Sequence, residues 1–440
     1  MDVRVRPGAA RTRDRSSYVG PAAGCPGVRA KSAAARIDLR RAARQLTSRL
    51  LPALGIAIAV ALGAAIFAAS TRGSPVPAGG LELGDTASIV FVVALAVGFA
   101  LYVVALVTLR HARGHLVLVC AIAVAIQLIP LAGPLLLSHD VYSYWAYGRV
   151  ASKHDSDPYR VPPADFPSDP ATRAVAPGWR GTTSVYGPAF TAFSIGVDRV
   201  THGSVEAVAL VFRIVAAAAA IAATLLAAYI ARRKAFAAAF VGWNPLLAAS
   251  SAGGGHNDTL MLALMLGALA LVSRRKDAGA GGLWLLAAAV KAPALFLLPL
   301  QLVRAGRRFW AGCVVAGVAG SIAATAAFGS GWLSSLGRLT RNESRYAIPS
   351  RLEQLGVPDQ AAHALAAAAL GIAALWLLRQ ARRGRPRLAL GACLLLLTTP
   401  WLLPWYATWP VVLAAVEEDA VAQVLALGLA AYLLPDRVPF

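Results

Sequence analysis

Ser138-His139-Asp140-Val141-Tyr142-Ser143-Tyr144-Trp145-Ala146-Tyr147-Gly148-Arg149 follows directly on the apolar run ending in Leu135-Leu136-Leu137. A carboxylate, an imidazole, several aromatics and a guanidinium thus leave an apolar segment together. Partly desolvated there, Asp140 would have a raised pKa suited to general-base work, with His139, Tyr142, Tyr144 and Arg149 as donors and partners. The plainer alternative is a carboxylate solvated at a helix end, with aromatics anchoring at a membrane interface.

A second cluster is Gly253-Gly254-Gly255-His256-Asn257-Asp258. The glycines permit a tight turn or close approach to a ligand, and Asn257 or Asp258 can cap the helix that follows. Capping accounts for one of the three polar residues and leaves His256 and one neighbour for chemistry. With no second histidine at ligand spacing, a dedicated zinc site is not indicated. Asp140 and Asp258 could share a hard divalent cation with a phosphate. Lys291 stands between apolar stretches, either as a functional charge inside a membrane segment or as a lysine snorkelling to the interface. Arg338, Arg341, Arg345 and Arg351 are suited to bidentate phosphate binding, or are ordinary solvated charges. Asp157-Pro158-Tyr159 opens a proline-rich, stiff loop, and Trp179 and Tyr186-Gly187-Pro188 return the chain to the membrane. Pro400 to Pro410, with Trp405 and Tyr406 at its centre, offers aromatic faces for a sugar or a polyprenyl chain, or an interfacial belt.

The elements that must position these residues are membrane helices. Of the 440 residues 58% are hydrophobic and 14% charged, with a mean hydropathy of +0.61; soluble domains carry about one-quarter charged residues. Candidate spans run over about 50–69, 87–109, 115–137, 205–231, 235–251, 258–273, 309–328, 360–378, 387–403, 405–416 and 420–434. Alternating strand patterns are absent, which excludes a barrel. The net charge of +21 does not point to nucleic acid. Residues 1–50 hold twelve Lys/Arg against three Asp, and the other basic clusters sit between apolar runs, which is the positive-inside pattern. Residues 1–48 read as a disordered basic cytoplasmic tail, and 49–440 as one transmembrane domain. The four cysteines are isolated and read as structural thiols. Abundant alanine and arginine over lysine suggest bacterial coding bias, hence the bacterial plasma membrane.

The charge rule also decides two ambiguous stretches. Gly279 to Val303 is basic on both flanks, so it reads as a hairpin of two short helices with Lys291-Ala292-Pro293 at its tip. Tyr186 to Val200 reads as re-entrant or interfacial. With the N-terminus cytoplasmic, loops 138–204 and 329–358, the Gly253–Asp258 turn, the Lys291 tip and the Trp405 turn all fall on the outer face. The expected fold is an all-α polytopic bundle of about 11–13 spans.

Ser138-His139-Asp140-Val141-Tyr142-Ser143-Tyr144, Asp157-Pro158-Tyr159, Tyr186-Gly187-Pro188, Asn244-Pro245-Leu246-Leu247, Gly255-His256-Asn257-Asp258 and Val290-Lys291-Ala292-Pro293 together resemble the GT-C superfamily of polytopic glycosyltransferases. The nearest resemblance is to the bacterial polyprenol-phosphomannose-dependent α-mannosyltransferases, over roughly residues 135–300. That resemblance implies a polyprenyl-phosphate mannose donor, a glycan or lipoglycan acceptor on the outer face, and Asp140 as the essential acid of the first large outer loop. His139 stands where such enzymes usually carry a second acid. The expected reaction is an inverting transfer, with Lys291, His256 or an outer-loop arginine such as Arg341 or Arg345 facing the phosphate. The rival is a lipid-linked-sugar flippase or small-molecule transporter, for which ionisable residues would line a midplane path.

Overall fold

The computed structural model describes residues 49–71, 86–111, 114–334, 344 and 346–434. The expected basic tail and Arg338, Arg341 and Arg345 lie outside them. In chain order the helices are α1 (Arg49–Ser70), α2 (Thr86–His111), α3 (Leu116–Leu128), α4 (Asp140–Ser152), α5 (Pro170–Ala174), α6 (Pro188–Thr201), α7 (Val205–Ile230), α8 (Lys234–Gly242) and α9 (Pro245–Ala248). They continue as α10 (Asp258–Ser273), α11 (Asp277–Val290), α12 (Pro293–Leu302), α13 (Arg307–Phe328), α14 (Ile348–Gln354), α15 (Asp359–Arg382), α16 (Leu388–Thr398), α17 (Thr408–Glu417) and α18 (Ala420–Tyr432). No strand occurs among the described residues. Five helices (α1, α2, α7, α13 and α15) are long and apolar enough to cross a bilayer, a bent pair makes a sixth, and six further apolar helices are shorter. Phe67, Val315, Ile322 and Ile372 are exposed, an apolar exterior that suits lipid tails. This is a polytopic helical membrane protein, as the composition predicts.

Several expected spans are broken, each at a proline or glycine. The stretch 235–251 bends by 50° between α8 and α9, because Pro245 lacks an N–H and disfavours helix at Asn244. Asn244 then caps α9, its Oδ1 accepting from Leu246 N at 3.0 Å and Leu247 N at 3.2 Å. The carbonyls released by the break are met from neighbouring helices: Tyr102 donates to Phe240 O at 2.6 Å and Gln127 to Gly242 O at 3.0 Å. Broken backbone inside a membrane requires such replacement partners. The expected span 115–137 ends as α-helix at Leu128. A 3-10 turn over Ile129–Ala132 and a non-helical stretch from Gly133 to His139 follow, so Asp140 opens a new helix and does not end an old one. Similarly α16 stops at Thr398 ahead of Pro400, not at 403.

The Lys291 hairpin forms as expected. Lys291 is extended between α11 and α12 (φ −153°, ψ 134°), and Trp284 of α11 donates to Ala294 O at 2.8 Å to brace the two arms. The stretch from Tyr186 to Val200 becomes α6, packed on α4. Gly187 before it allows a close approach: a Cβ there would lie 2.1 Å from Ala289 O. At the opposite end of the bundle the basic turns meet. Arg387 pairs with Asp419, Arg233 N donates to Glu418 at 2.8 Å, and Arg274 lies over the Tyr229 ring at 5.3 Å. The segments expected on the outer face meet likewise: Asp140 reaches His256, Lys291 reaches Asp258, and Trp179 touches Trp401.

Candidate active site

Asp140 is the first residue of α4, and its backbone N donates to Ser138 Oγ at 3.1 Å. Its Oδ2 lies 3.4 Å from His256 Nδ1; the carboxylate side chain is 23% exposed, the imidazole 1%. Asp140 therefore faces open space while His256 backs it from the protein interior. His256 is held by stacking on Trp405, with centroids 4.0 Å apart and planes at 19°, and its Nε2 lies 3.4 Å from Ser138 Oγ.

The approach of α4 to the His256 turn depends on Gly255. It sits at φ +67°, and a Cβ there would fall 2.5 Å from Val141 Cγ1. Arg213, buried in α7, ties the same region together. Its Nε donates to Ala252 O at 2.7 Å and its second arm donates to Pro130 O. One guanidinium thus joins the turn leading to Asp140 to the turn leading to His256. Arg213 belongs to none of the sequence motifs, although a charge within an apolar 26-residue helix is itself a functional signal.

Asp258 and Lys291 form a second pair, Nζ to Oδ2 2.7 Å, both buried. Trp409 Nε1 donates to the other oxygen, Oδ1. Lys291 Nζ also lies over the Tyr406 ring at 5.0 Å and the Trp409 ring at 5.9 Å, a cation–π setting. Tyr406 and Trp409 stack on each other at 4.4 Å. Trp409 was not among the expected site residues, yet it lies one helical turn beyond Trp405, a spacing that places both on one face.

A cavity of about 650 Å3 joins these groups, its lining including His139, Asp140, Tyr186, Lys291, Trp405 and Tyr406. That volume is typical of ligand sites. One wall is apolar, from Phe296, Leu370 and Leu395. His256 and Asp258 stand behind the lining and act on it through Asp140 and Lys291. Asn257 is buried beside them, and neither it nor Asp258 makes a side-chain cap on α10, contrary to expectation.

Other expected site residues lie elsewhere. Arg149 is engaged by Asp169 (Nε to Oδ1 2.9 Å) and Asp198 (Nη1 to Oδ1 3.0 Å), bracing α4 against α5 and α6. Tyr144 is buried edge-on among Tyr186, Phe190 and Phe212. Tyr159 hydrogen-bonds Thr191 Oγ1 at 2.9 Å and Tyr186 O at 3.1 Å, and Tyr142 packs on the His139 ring at 5.4 Å. Arg351 donates to Tyr432 at 3.2 Å and to Gln354 at 2.9 Å. None of these five lines the cavity.

The electrostatics correct one expectation. Burial pushes the Asp140 carboxyl up, but the hydrogen bond and charge of His256, with Lys291 and Ser138, hold it below the usual carboxylate range. It is ionised at neutral pH, able to accept a proton. Burial lowers His139, partly offset by Asp140, so its imidazole is neutral. The donor set fits a shared cation poorly, because Asp258 has both oxygens occupied by Lys291 and Trp409. Among the described residues, the acid–imidazole triad close enough to hold an ion is Glu353, Asp359 and His363, which does not line the cavity.

Residues 52–307 match the model of a family described as alpha-(1->6)-mannopyranosyltransferase, N-terminal domain. The chain belongs to that family. The match includes Asp140, His256, Asp258 and Lys291 and stops before the tryptophan-rich turn. Within this mannopyranosyltransferase family, the chain is 28% identical to alpha-(1->6)-mannopyranosyltransferase A of Mycobacterium tuberculosis over 351 residues, 68% of this chain and 66% of that protein. The chain thus spans just under two thirds of that relative's length. No solved structure matches.

Proposed function

We propose that the protein is a membrane glycosyltransferase that moves mannose from a polyprenyl-phosphate donor to a glycan or lipoglycan acceptor, with inversion, on the extracytoplasmic face. The observation that carries this is one cavity presenting a carboxylate, Asp140, and a buried ammonium, Lys291, beside an apolar wall. The arrangement supplies a base, a partner for phosphate, and a surface for an isoprenoid chain. Family membership supports mannose as the sugar.

In the step, the acceptor oxygen attacks the anomeric carbon and its proton passes to Asp140. The bond from that carbon to the phosphate oxygen breaks, and the electron pair leaves with the polyprenyl phosphate. Inversion requires the base on the face opposite the leaving group. Lys291 keeps N–H donors beyond the one given to Asp258, and these meet the charge that builds on the phosphate. In this role Lys291 supplies the positive charge that a cation shared by Asp140 and Asp258 could otherwise have given. The basic turns at the far end of the bundle support an inside position for that end, and hence an outside position for the cavity and a cytoplasmic N-terminus.

The test is transfer from labelled polyprenyl-phosphate mannose to a short α-mannoside by the purified protein. Asp140→Asn abolishes transfer while leaving insertion and monodispersity intact. Undiminished transfer by that variant removes Asp140 as the base. Label that crosses a vesicle membrane but stays on the lipid identifies a flippase.

A further inference from the structure

The lining tryptophans differ in what their faces touch. Trp405 is stacked on His256 and Trp409 on Tyr406, and the Lys291 ammonium lies over the latter pair. Their faces are engaged by protein. Trp179 and Trp401 instead meet edge to face, with centroids 5.7 Å apart and planes at 62°. An edge-to-face pair covers one face of one ring only. Both indoles line the cavity and both are half-buried.

The backbone that carries the two rings is also tied down. Trp179 closes the 3-10 turn Pro177–Trp179. Beside it, Arg180 donates from Nε to Val175 O at 3.0 Å and from Nη2 to Arg173 O at 2.8 Å. Trp401 is tied through its backbone, its N donating to Thr399 Oγ1 at 3.3 Å. Rigid aromatic surface binds with little loss of conformational entropy.

The described residues around this pair are neutral. The residues that accompany the pair in the lining are Pro177, Gly178, Thr398, Thr399 and Pro400; the charged lining side chains are Asp140 and Lys291. Among the described lining residues, a phosphate finds no cation beside this pair. An isoprenoid chain has its own apolar wall at Phe296, Leu370 and Leu395, with Phe296 57% exposed on the helix surface. A ligand with an apolar C–H face and hydroxyl edges fits indole faces flanked by threonines. We propose that Trp179 and Trp401 form the acceptor subsite, binding a neutral hexose of the glycan by stacking. This rests on the transfer activity proposed above and adds where the acceptor is held.

Steady-state transfer with full-length Trp401→Ala and Trp179→Ala tests it. The acceptor KM rises about tenfold in each, the scale of one aromatic contact, while donor KM and the rate at saturating acceptor hold within about twofold. Trp401→Phe restores most of the affinity, which a general packing defect would not. A raised donor KM with unchanged acceptor KM overturns the proposal and assigns the pair to the lipid. Ligand-observed NMR of α-mannobiose with the Asp140→Asn protein separates the two claims. Binding that disappears on adding Trp401→Ala upholds the subsite even where transfer is never detected. Binding that survives both tryptophan replacements refutes the subsite even where transfer proceeds.

Discussion

Replacing Lys291 by methionine removes a charge while keeping a flexible apolar side chain of similar length. Asp258, 1% exposed, would then be a buried carboxylate with Trp409 Nε1 as its remaining side-chain donor. Breaking a buried pair from one side costs about 3–5 kcal/mol, because the remaining charge is uncompensated. The surviving Trp409 bond places the cost at the lower end, about 3 kcal/mol, or roughly a 150-fold fall in the folded-to-unfolded ratio. Removing both charges, as Lys291→Met with Asp258→Asn, eliminates that penalty and recovers most of the stability. Catalysis behaves differently. Both variants lack the ammonium proposed to meet the phosphate, and each loses about 100- to 1,000-fold in kcat, the scale of one electrostatic donor. Reversible denaturation in mixed micelles reads the first quantity, and transfer from labelled polyprenyl-phosphate mannose the second. A double variant no more stable than Lys291→Met refutes the buried-pair argument. A double variant with wild-type transfer refutes the phosphate role.

Two further substitutions probe the other pair. His256→Phe keeps an aromatic ring to stack on Trp405 and removes the nitrogens that lower Asp140; the acid limb of kcat/KM moves to higher pH. The sign follows from Asp140, which must be ionised to take the proton: without His256 its value rises, so transfer is lost at a higher pH as pH falls; an unmoved limb would show that His256 does not set the Asp140 charge. Gly255→Ala introduces left-handed strain of about 1–2 kcal/mol, with a Cβ 2.5 Å from Val141 Cγ1. It lowers both stability and transfer, and Val141→Ala in the same chain restores part of each in denaturation and transfer assays.

Much of the fold is legible without coordinates, for a physical reason. Lipid offers the backbone no hydrogen bonds, so an apolar run must close its own as helix, and residues without that ability show as breaks. Pro245, Pro293 and Pro400 mark such breaks. The position of the α8–α9 bend was missed because periodicity does not reveal that Tyr102 and Gln127 stand ready to satisfy the freed carbonyls. The clusters around Asp140, His256 and Lys291 were visible as polar groups in apolar surroundings, where each needs a partner or a task.

Which partner each took was decided only by tertiary packing. Lys291 and Asp258 are 33 residues apart and Trp409 and Asp258 151 apart, separations that local pattern does not encode. Arg149 stands nine positions from Asp140 in the chain, yet α5 and α6 present Asp169 and Asp198 to it first. The Asp140 carboxyl was expected to be raised by desolvation. It is lowered instead, because the fold brings in His256 and Lys291 and their field outweighs burial. By itself the sequence determined the chemical inventory and the membrane helices, since composition and backbone hydrogen bonding are local properties. The pairing of Asp140 with His256 and of Lys291 with Asp258, and the direction of the Asp140 shift, depend on distances between remote segments, which the packed bundle alone sets.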